Sequence, residues 1–117
     1  MLLKIVDSQA GDKGEGGSVA AVFKDIPIRE GEMFLLPGNT PHNPVRFADT
    51  VGLVIERIRS AESVDRLRWY CQECNTIVRE THFSCTDIQT QLKDIIQHYA
   101  ASPSLRTCPV CNFVNPP

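Results

Sequence analysis

Two Cys-x-x-Cys pairs constrain the fold of this chain more than any other feature. They are Cys71-Gln-Glu-Cys74 and Cys108-Pro-Val-Cys111, and 33 residues separate them. A tight turn lets both thiolates of one pair bind the same ion, and two pairs complete the tetrahedral four-sulfur shell of structural zinc or rubredoxin-type iron. The spacing therefore predicts a closed, structural metal site that ties the C-terminal segment to the body. A redox dithiol and a pair of disulfides are the alternative interpretations.

Net charge and the lack of long apolar runs indicate which kinds of partner and which cellular compartment the chain is expected to have. The chain has 117 residues and a net charge of -2, and its isoelectric point is near 5.9, which disfavours nucleic-acid and polybasic membrane partners. No apolar run reaches the length of a membrane span, and residues 1–7 are too short and too soon charged for a signal peptide. We therefore expect a soluble, cytoplasmic protein. Thiols stay reduced in that compartment, which favours metal ligation over disulfides.

Three further side chains of metal-ligating type lie close to the two cysteine pairs in sequence: His82, Cys85 and His98. Four thiolates already fill a tetrahedral shell, so the site needs no additional ligand. Cys85 is therefore expected to be a buried thiol without a metal. The two histidines are expected to be ordinary surface or packing residues.

Short apolar segments with Gly and Pro between them predict a mainly β fold of antiparallel barrel or sandwich type. Three segments are predicted as strands: 1–7, 33–36 and 51–57. Residues 8–22 are rich in Gly, Asp, Lys and Glu without periodicity, which predicts a long mobile loop. Nearer the C-terminus, apolar residues at helical spacing predict an amphipathic helix over 87–100, with a capping box at 86–89.

His42 stands between Pro41 and Pro44. Proline fixes its own φ and pushes the preceding residue into extended geometry, so the backbone at His42 is predicted to be stiff and non-helical. That suits a metal ligand or a catalytic base, and the alternative is a surface loop with an incidental histidine. Glu56 shares a face of the predicted strand 51–57 with Gly52 and Val54, a face that can point into an apolar interior. Its carboxylate therefore either faces the interior with a partner or reaches solvent at the strand end.

Four blocks of residues carry a resemblance to a known family. In chain order they are DIPIREGEMFLLP (25–37), PHNPVR (41–46), VIER (54–57) and DRLRWYC (65–71). The spacing of Gly31, Pro37 and His42 resembles the second cupin motif, except that Asn39 occupies the usual glycine position and Gly38 precedes it. With the four cysteines, these blocks resemble 3-hydroxyanthranilate 3,4-dioxygenases that carry a C-terminal four-cysteine extension. The resemblance implies a cupin-type, jelly-roll antiparallel barrel.

The resemblance also implies an oxidoreductase of the kynurenine pathway of tryptophan catabolism. Such an iron(II) dioxygenase opens the ring of 3-hydroxyanthranilate with O₂ to give 2-amino-3-carboxymuconate semialdehyde, which leads to quinolinate and NAD biosynthesis. In the family two histidines and one glutamate hold the iron, and His42 matches the second histidine. Arg46 matches an arginine that binds the substrate carboxylate. Glu56 matches a residue that bonds the hydroxyl or amine side of the substrate and can take its proton. The four cysteines match a second, rubredoxin-like site for zinc or iron.

The family places its first cupin motif, with the other histidine and the glutamate ligand, before the strand that starts here at Met1. We therefore expect residues 1–60 to form part of a cupin barrel, and residues 61–117 to form an extension with the four-cysteine site. The chain alone is expected to be incomplete for catalysis. Its expected partners are 3-hydroxyanthranilate and O₂, and a homodimer is left open. The alternative is a non-catalytic zinc-binding cupin or zinc-ribbon interaction module.

Overall fold

The computed structural model describes residues 1–7 and 20–117, so most of the predicted loop over 8–22 lies outside the described residues. The chain forms two compact units, Met1–Arg57 and Ile58–Pro117. The predicted division into a partial barrel and an extension stays a prediction. The described residues form five strands in two antiparallel sheets and two helices, which confirms a mainly β fold. Within the same residues, no helix is long and apolar enough to cross a membrane.

The first unit is built around β1 (Leu2–Val6), which lies between β2 (Phe23–Pro27) and β3 (His42–Val45). Both neighbours run antiparallel to β1, and Ile5 lies opposite His42. The prolines around His42 therefore belong to an extended backbone, as predicted. The hydrogen-bonded ladder with β1 fixes where this histidine stands in the unit.

Two segments of the first unit that are predicted as strands, 33–36 and 51–57, are not strands. The prediction that residues 33–36 are buried is also wrong, because Met33 and Leu35 are 95% and 92% exposed. An extended segment becomes a strand only when a neighbour takes up its backbone hydrogen bonds. Both sides of β1 are occupied by β2 and β3, and none of the described residues forms a ladder with either segment.

The second unit combines a hairpin with two helices. Its elements are β4 (Asp65–Tyr70), β5 (Ile77–Phe83), α1 (Ile88–Ala101) and α2 (Pro103–Arg106). The two strands are antiparallel, and the first cysteine pair lies in the turn between them. Of these four elements only α1 is among those predicted from the sequence, and it agrees with the predicted helix to within one residue at each end.

The N-terminus of α1 is capped by Asp87, whose carboxylate accepts the backbone N–H of Gln89 at 3.0 Å. The predicted capping box at 86–89 is therefore displaced, because its threonine lies outside the cap. The amide oxygen of Gln91 instead accepts the N–H groups of Thr86 and Asp87, at 2.8 and 3.0 Å. Hydrogen bonds to Thr90 and Gln89 lower the pKa of the Asp87 carboxyl, which favours the charged form at the positive end of the helix.

The packing of α1 centres on Tyr99, which is buried and stacks on Trp69 of β4 with ring centroids 4.3 Å apart. Leu92 and Ile95 are half-buried on the same helix. Two other apolar residues of this helix, Ile88 and Ile96, are exposed. The hairpin of β4 and β5 is only two strands wide, so it covers only a narrow stripe of a helix. The apolar face of α1 is wider than the part that the hairpin covers.

Asn115 anchors the C-terminal segment to β4 and α1. Its buried side-chain amide donates to the carbonyl of Tyr70 at 2.9 Å and to the hydroxyl of Tyr99 at 3.2 Å. Its side-chain oxygen accepts the N–H of Gln72 at 3.2 Å. One side chain thus pairs three polar groups, two of them at the end of β4 beside the first cysteine pair and the third on α1.

Replacing Asn115 with alanine is expected to lower the free energy of unfolding by about 1–3 kcal/mol, the range for leaving a buried polar group without its partner. Denaturant unfolding followed by the fluorescence of Trp69 measures the change. Gln97→Ala on the exposed side of α1 is the control and should change stability by less than about 0.5 kcal/mol. Equal unfolding free energies for the two variants contradict the anchoring role.

Candidate functional site

The four predicted metal-ligating cysteines meet in the second unit, with their sulfurs all within 4.8 Å of one another. The Sγ atoms of Cys71 and Cys111 are 3.5 Å apart, and those of Cys74 and Cys108 are 3.6 Å apart. A tetrahedral ion with metal–sulfur bonds of about 2.3 Å requires sulfur–sulfur edges of about 3.8 Å, so the cluster fits one such ion. Cys71 and Cys108 are buried and Cys111 is exposed.

Each cysteine pair is followed by an asparagine that shapes the turn. The N–H of Asn75 donates to the carbonyl of Cys71, and that of Asn112 to the carbonyl of Cys108, both at 3.0 Å. Both asparagines have positive φ, 59° and 61°, a conformation that asparagine tolerates better than most residues. The first cysteine of each pair donates its N–H to the carbonyl of the residue after the asparagine, Thr76 or Phe113, at 2.8 Å in both cases. The two halves of the site are therefore copies of one backbone motif.

Hydrogen bonds to sulfur distribute negative charge unevenly over the cluster. The backbone N–H of Cys111 and the hydroxyl of Thr76 lower the pKa of Cys108 to about 6. The hydroxyl and N–H of Thr76 also lower the pKa of Cys74. The N–H of Phe113 lowers the pKa of Cys111, but partial desolvation of the sulfur and its three neighbouring sulfurs outweigh this and raise that pKa to about 12. A divalent cation removes this conflict, because it allows all four sulfurs to be thiolates.

The three other side chains of metal-ligating type near the cysteine pairs lie outside the sulfur cluster. Cys85 is partly exposed, so the prediction of a buried thiol is wrong; it lies in the connection between β5 and α1, where its N–H donates to Asp65. His82 pairs with Glu80, and this hydrogen bond, followed by the one from Arg68, lowers the pKa of the Glu80 carboxyl. His98 is exposed on α1.

His42 is exposed at the start of β3, and its Nδ1 lies 2.9 Å from the carbonyl oxygen of Thr40. A carbonyl oxygen only accepts, so Nδ1 must carry the proton, and the lone pair of a neutral ring is then on Nε2. Metal-binding histidines commonly have their ring fixed through such a second hydrogen bond. Asn39, at the usual glycine position of the motif, has a φ of 59° and so adopts the conformation that glycine would supply.

Arg46 and Glu56 are both exposed in the first unit. The Nη1 of Arg46 donates to the carbonyl of Gly52 at 3.4 Å. A Cβ at Gly52 would lie 2.4 Å from that nitrogen, so any other residue at this position would displace the end of the Arg46 side chain. The exposure of Glu56 agrees with the alternative in which its carboxylate reaches solvent. Residues 51–57 form no strand that could point the side chain inward. Among residues 1–7 and 20–117, the four cysteines form the one group of three or more potential metal ligands.

Comparison with known proteins gives a match to the model of the 3-hydroxyanthranilic acid dioxygenase family over residues 1–100. The chain belongs to this family. It is 55% identical to the 3-hydroxyanthranilate 3,4-dioxygenase of Neurospora crassa and 53% identical to that of Podospora anserina, over 97% of the chain in both cases. It is 51% identical to 3-hydroxyanthranilate 3,4-dioxygenase 2 of Aspergillus clavatus, over 100% of the chain. The chain spans 57% of the length of each of these relatives.

The match to the 3-hydroxyanthranilic acid dioxygenase family includes the first cysteine pair and ends before the second, Cys108 and Cys111. The similarity to the Aspergillus clavatus dioxygenase covers the whole chain and therefore extends across the second pair. His42, Arg46 and Glu56 all lie within the part that the family model matches.

Proposed function

We propose that this chain takes part in the ring-opening dioxygenation of 3-hydroxyanthranilate to 2-amino-3-carboxymuconate semialdehyde, the step that leads to quinolinate and NAD. The observation that carries the proposal is the 55% identity to the Neurospora crassa 3-hydroxyanthranilate 3,4-dioxygenase over 97% of the chain. Iron(II), when bound, supplies sites at which the substrate and O₂ meet. The side chains of this chain hold the iron in part and orient the substrate.

His42 is the proposed iron ligand of this chain, through Nε2. Its hydrogen bond with the Thr40 carbonyl supports this role, since it places the ring proton on Nδ1. The ladder between β1 and β3 supports it as well, because a ligand on a paired strand keeps a fixed position. His42 alone cannot form an iron centre that requires two histidines and a glutamate. We therefore propose that the other ligands come from polypeptide outside this chain and that the chain alone is inactive.

Arg46 and Glu56 are the proposed substrate contacts. A guanidinium offers two parallel N–H groups to a carboxylate, and 3-hydroxyanthranilate carries its carboxylate on the ring. The single 3.4 Å hydrogen bond of Arg46 to Gly52 leaves other N–H groups of the fork for the substrate. Glu56 accepts hydrogen bonds from the hydroxyl or amine side and can take a proton there.

A chimera tests the proposal. The part of the Neurospora crassa relative that this chain does not cover is joined ahead of Met1, and the purified chimera is supplied with iron(II) and 3-hydroxyanthranilate. We expect oxygen uptake and semialdehyde formation by the chimera and none above background by the 117-residue chain. A folded, iron-loaded chimera without turnover contradicts the proposed reaction. Turnover by the chain alone at the rate of the chimera contradicts its proposed incompleteness.

The four-cysteine cluster is the proposed site of a second ion, zinc or iron, with a structural role. Four thiolates leave no open position for a substrate. The same cluster is the observation that favours the alternative function, a non-catalytic zinc-binding module, because it is complete within this chain. Metal analysis of the chimera separates the two functions. The dioxygenase needs an iron-containing site in addition to the cysteine cluster, and the binding module does not.

A further inference from the structure

Thr76 has a hydroxyl that contacts one sulfur from each cysteine pair. Its Oγ1 lies 3.0 Å from the Sγ of Cys74 and 3.5 Å from the Sγ of Cys108. The residue is 5% exposed. A buried hydroxyl is costly unless it forms a hydrogen bond. The two sulfurs lie within reach of Oγ1, so the hydroxyl can be satisfied by the cluster.

The direction of this hydrogen bond follows from the chemistry of the ligands. A metal-bound cysteine is a thiolate without a proton, so it can only accept. The hydroxyl of Thr76 must therefore donate, and the nearer acceptor is Cys74. A donated proton stabilises the negative charge on a thiolate and reduces the electron density that the sulfur gives to the ion.

The second cysteine pair shows that the turn does not need this hydroxyl. Phe113 occupies the equivalent position: it also follows a left-handed asparagine, and its carbonyl also accepts the N–H of the first cysteine of its pair, Cys108, at 2.8 Å. A phenyl ring has no O–H to donate. The two turns thus share one backbone and differ in this side chain, so the threonine hydroxyl is not explained by turn geometry.

We propose that Thr76 is a positioning residue for the ion of the four-cysteine site, whose hydroxyl donates to Cys74 and holds the sulfurs of both pairs around one centre. The inference rests on the proposed metal at this site. It makes the site asymmetric, because Cys74 loses electron density to a hydroxyl that has no counterpart after Cys111, the equivalent cysteine of the second pair.

Cobalt(II) bound to the full 117-residue chain is the probe. Affinity is measured by competition with a chelator, and the sulfur-to-cobalt charge-transfer band reports the electron density on the thiolates. In Thr76→Val, which keeps the shape and loses the hydroxyl, we expect about 10- to 100-fold weaker binding, the usual effect of removing an outer partner of a metal ligand. We also expect the band to move to longer wavelength, because a thiolate without the hydrogen bond is more easily oxidised.

Thr76→Ser keeps the hydroxyl and is expected to restore both the affinity and the band position. Thr81→Val, the same substitution on β5, is the matched control and should leave both unchanged. Wild-type affinity and band position in Thr76→Val overturn the inference, and so does a serine variant that shifts as far as valine. If the valine variant does not fold, Thr76→Ala takes its place against serine. Failure of the wild-type chain to bind cobalt contradicts instead the proposed metal site.

Discussion

Replacing Cys108 with serine is expected to weaken metal binding by the four-cysteine site by more than about 100-fold, beyond the usual effect of losing an outer partner of a ligand. The sulfur of Cys108 is fully buried and lies 3.6 Å from the sulfur of Cys74 and 3.4 Å from the N–H of Val110. Serine is shorter and offers a neutral oxygen where the shell needs a thiolate. The three remaining sulfurs cannot close a tetrahedron.

The same substitution is expected to lower the unfolding midpoint of the second unit, because the free energy of metal binding is folding free energy when the site forms only in the native state. Inductively coupled plasma analysis gives the metal content, and thermal unfolding followed by circular dichroism gives the midpoint. Cys85→Ser is the matched control: the same change at a partly exposed thiol outside the cluster, which should leave the metal content at its wild-type value.

Three results would each contradict the assignment in a different way. Full metal content in Cys108→Ser means that the ion is bound elsewhere. Metal loss in Cys85→Ser means that the fifth cysteine belongs to the site. An unchanged unfolding midpoint after complete metal loss means that the cluster binds an ion without contributing to the stability of the unit.

The sequence predicts best what is encoded locally. Both thiolates of a Cys-x-x-Cys pair lie in one turn, and two such pairs specify a tetrahedral shell without knowledge of the rest of the fold. The helix over 87–100 is predicted equally well, because its apolar period lies within a single element. The asparagine after each pair, Asn75 and Asn112, was a readable signal of the same local kind: the shared Cys-x-x-Cys-Asn pattern indicates two identical turns.

Strands are predicted less well, because a strand depends on a neighbour that is often far away in sequence. Residues 51–57 alternate as a strand does and have no ladder among the described residues. Ile77–Phe83 shows little alternation and carries charged side chains, yet it is a strand because it pairs with β4, with Arg79 opposite Trp69. Apolar alternation indicates which residues could share a face, and only the tertiary structure supplies the partner.

The buried polar residues Thr76 and Asn115 of the second unit could not be predicted either, because their partners are also distant in sequence. Thr76 reaches the sulfur of Cys108 across 32 positions of the sequence, and Asn115 reaches the carbonyl of Tyr70 across 45. Nothing in the local pattern around either residue distinguishes it from an ordinary turn residue. Their importance arises from burial beside partners that the fold brings together.

In the chimera that joins this chain to the uncovered part of the Neurospora crassa relative, His42→Ala is expected to remove iron and abolish turnover. An alanine offers no nitrogen to the ion, and an iron centre of three protein ligands that loses one keeps only two. The ion of the four-cysteine site should remain, because His42 lies outside that cluster. Metal analysis and oxygen uptake on the same preparation measure both effects.

His98→Ala is the control, since it removes an exposed imidazole from α1, away from the proposed iron ligand in sequence and outside the sulfur cluster. It should keep both metals and the rate of the parent chimera. Retention of iron in His42→Ala contradicts the ligand assignment, whereas loss of both metals shows that the substitution acts by unfolding the protein. Iron loss confined to the His42 variant is the one pattern that agrees with an Nε2 ligand held in place by the Thr40 carbonyl.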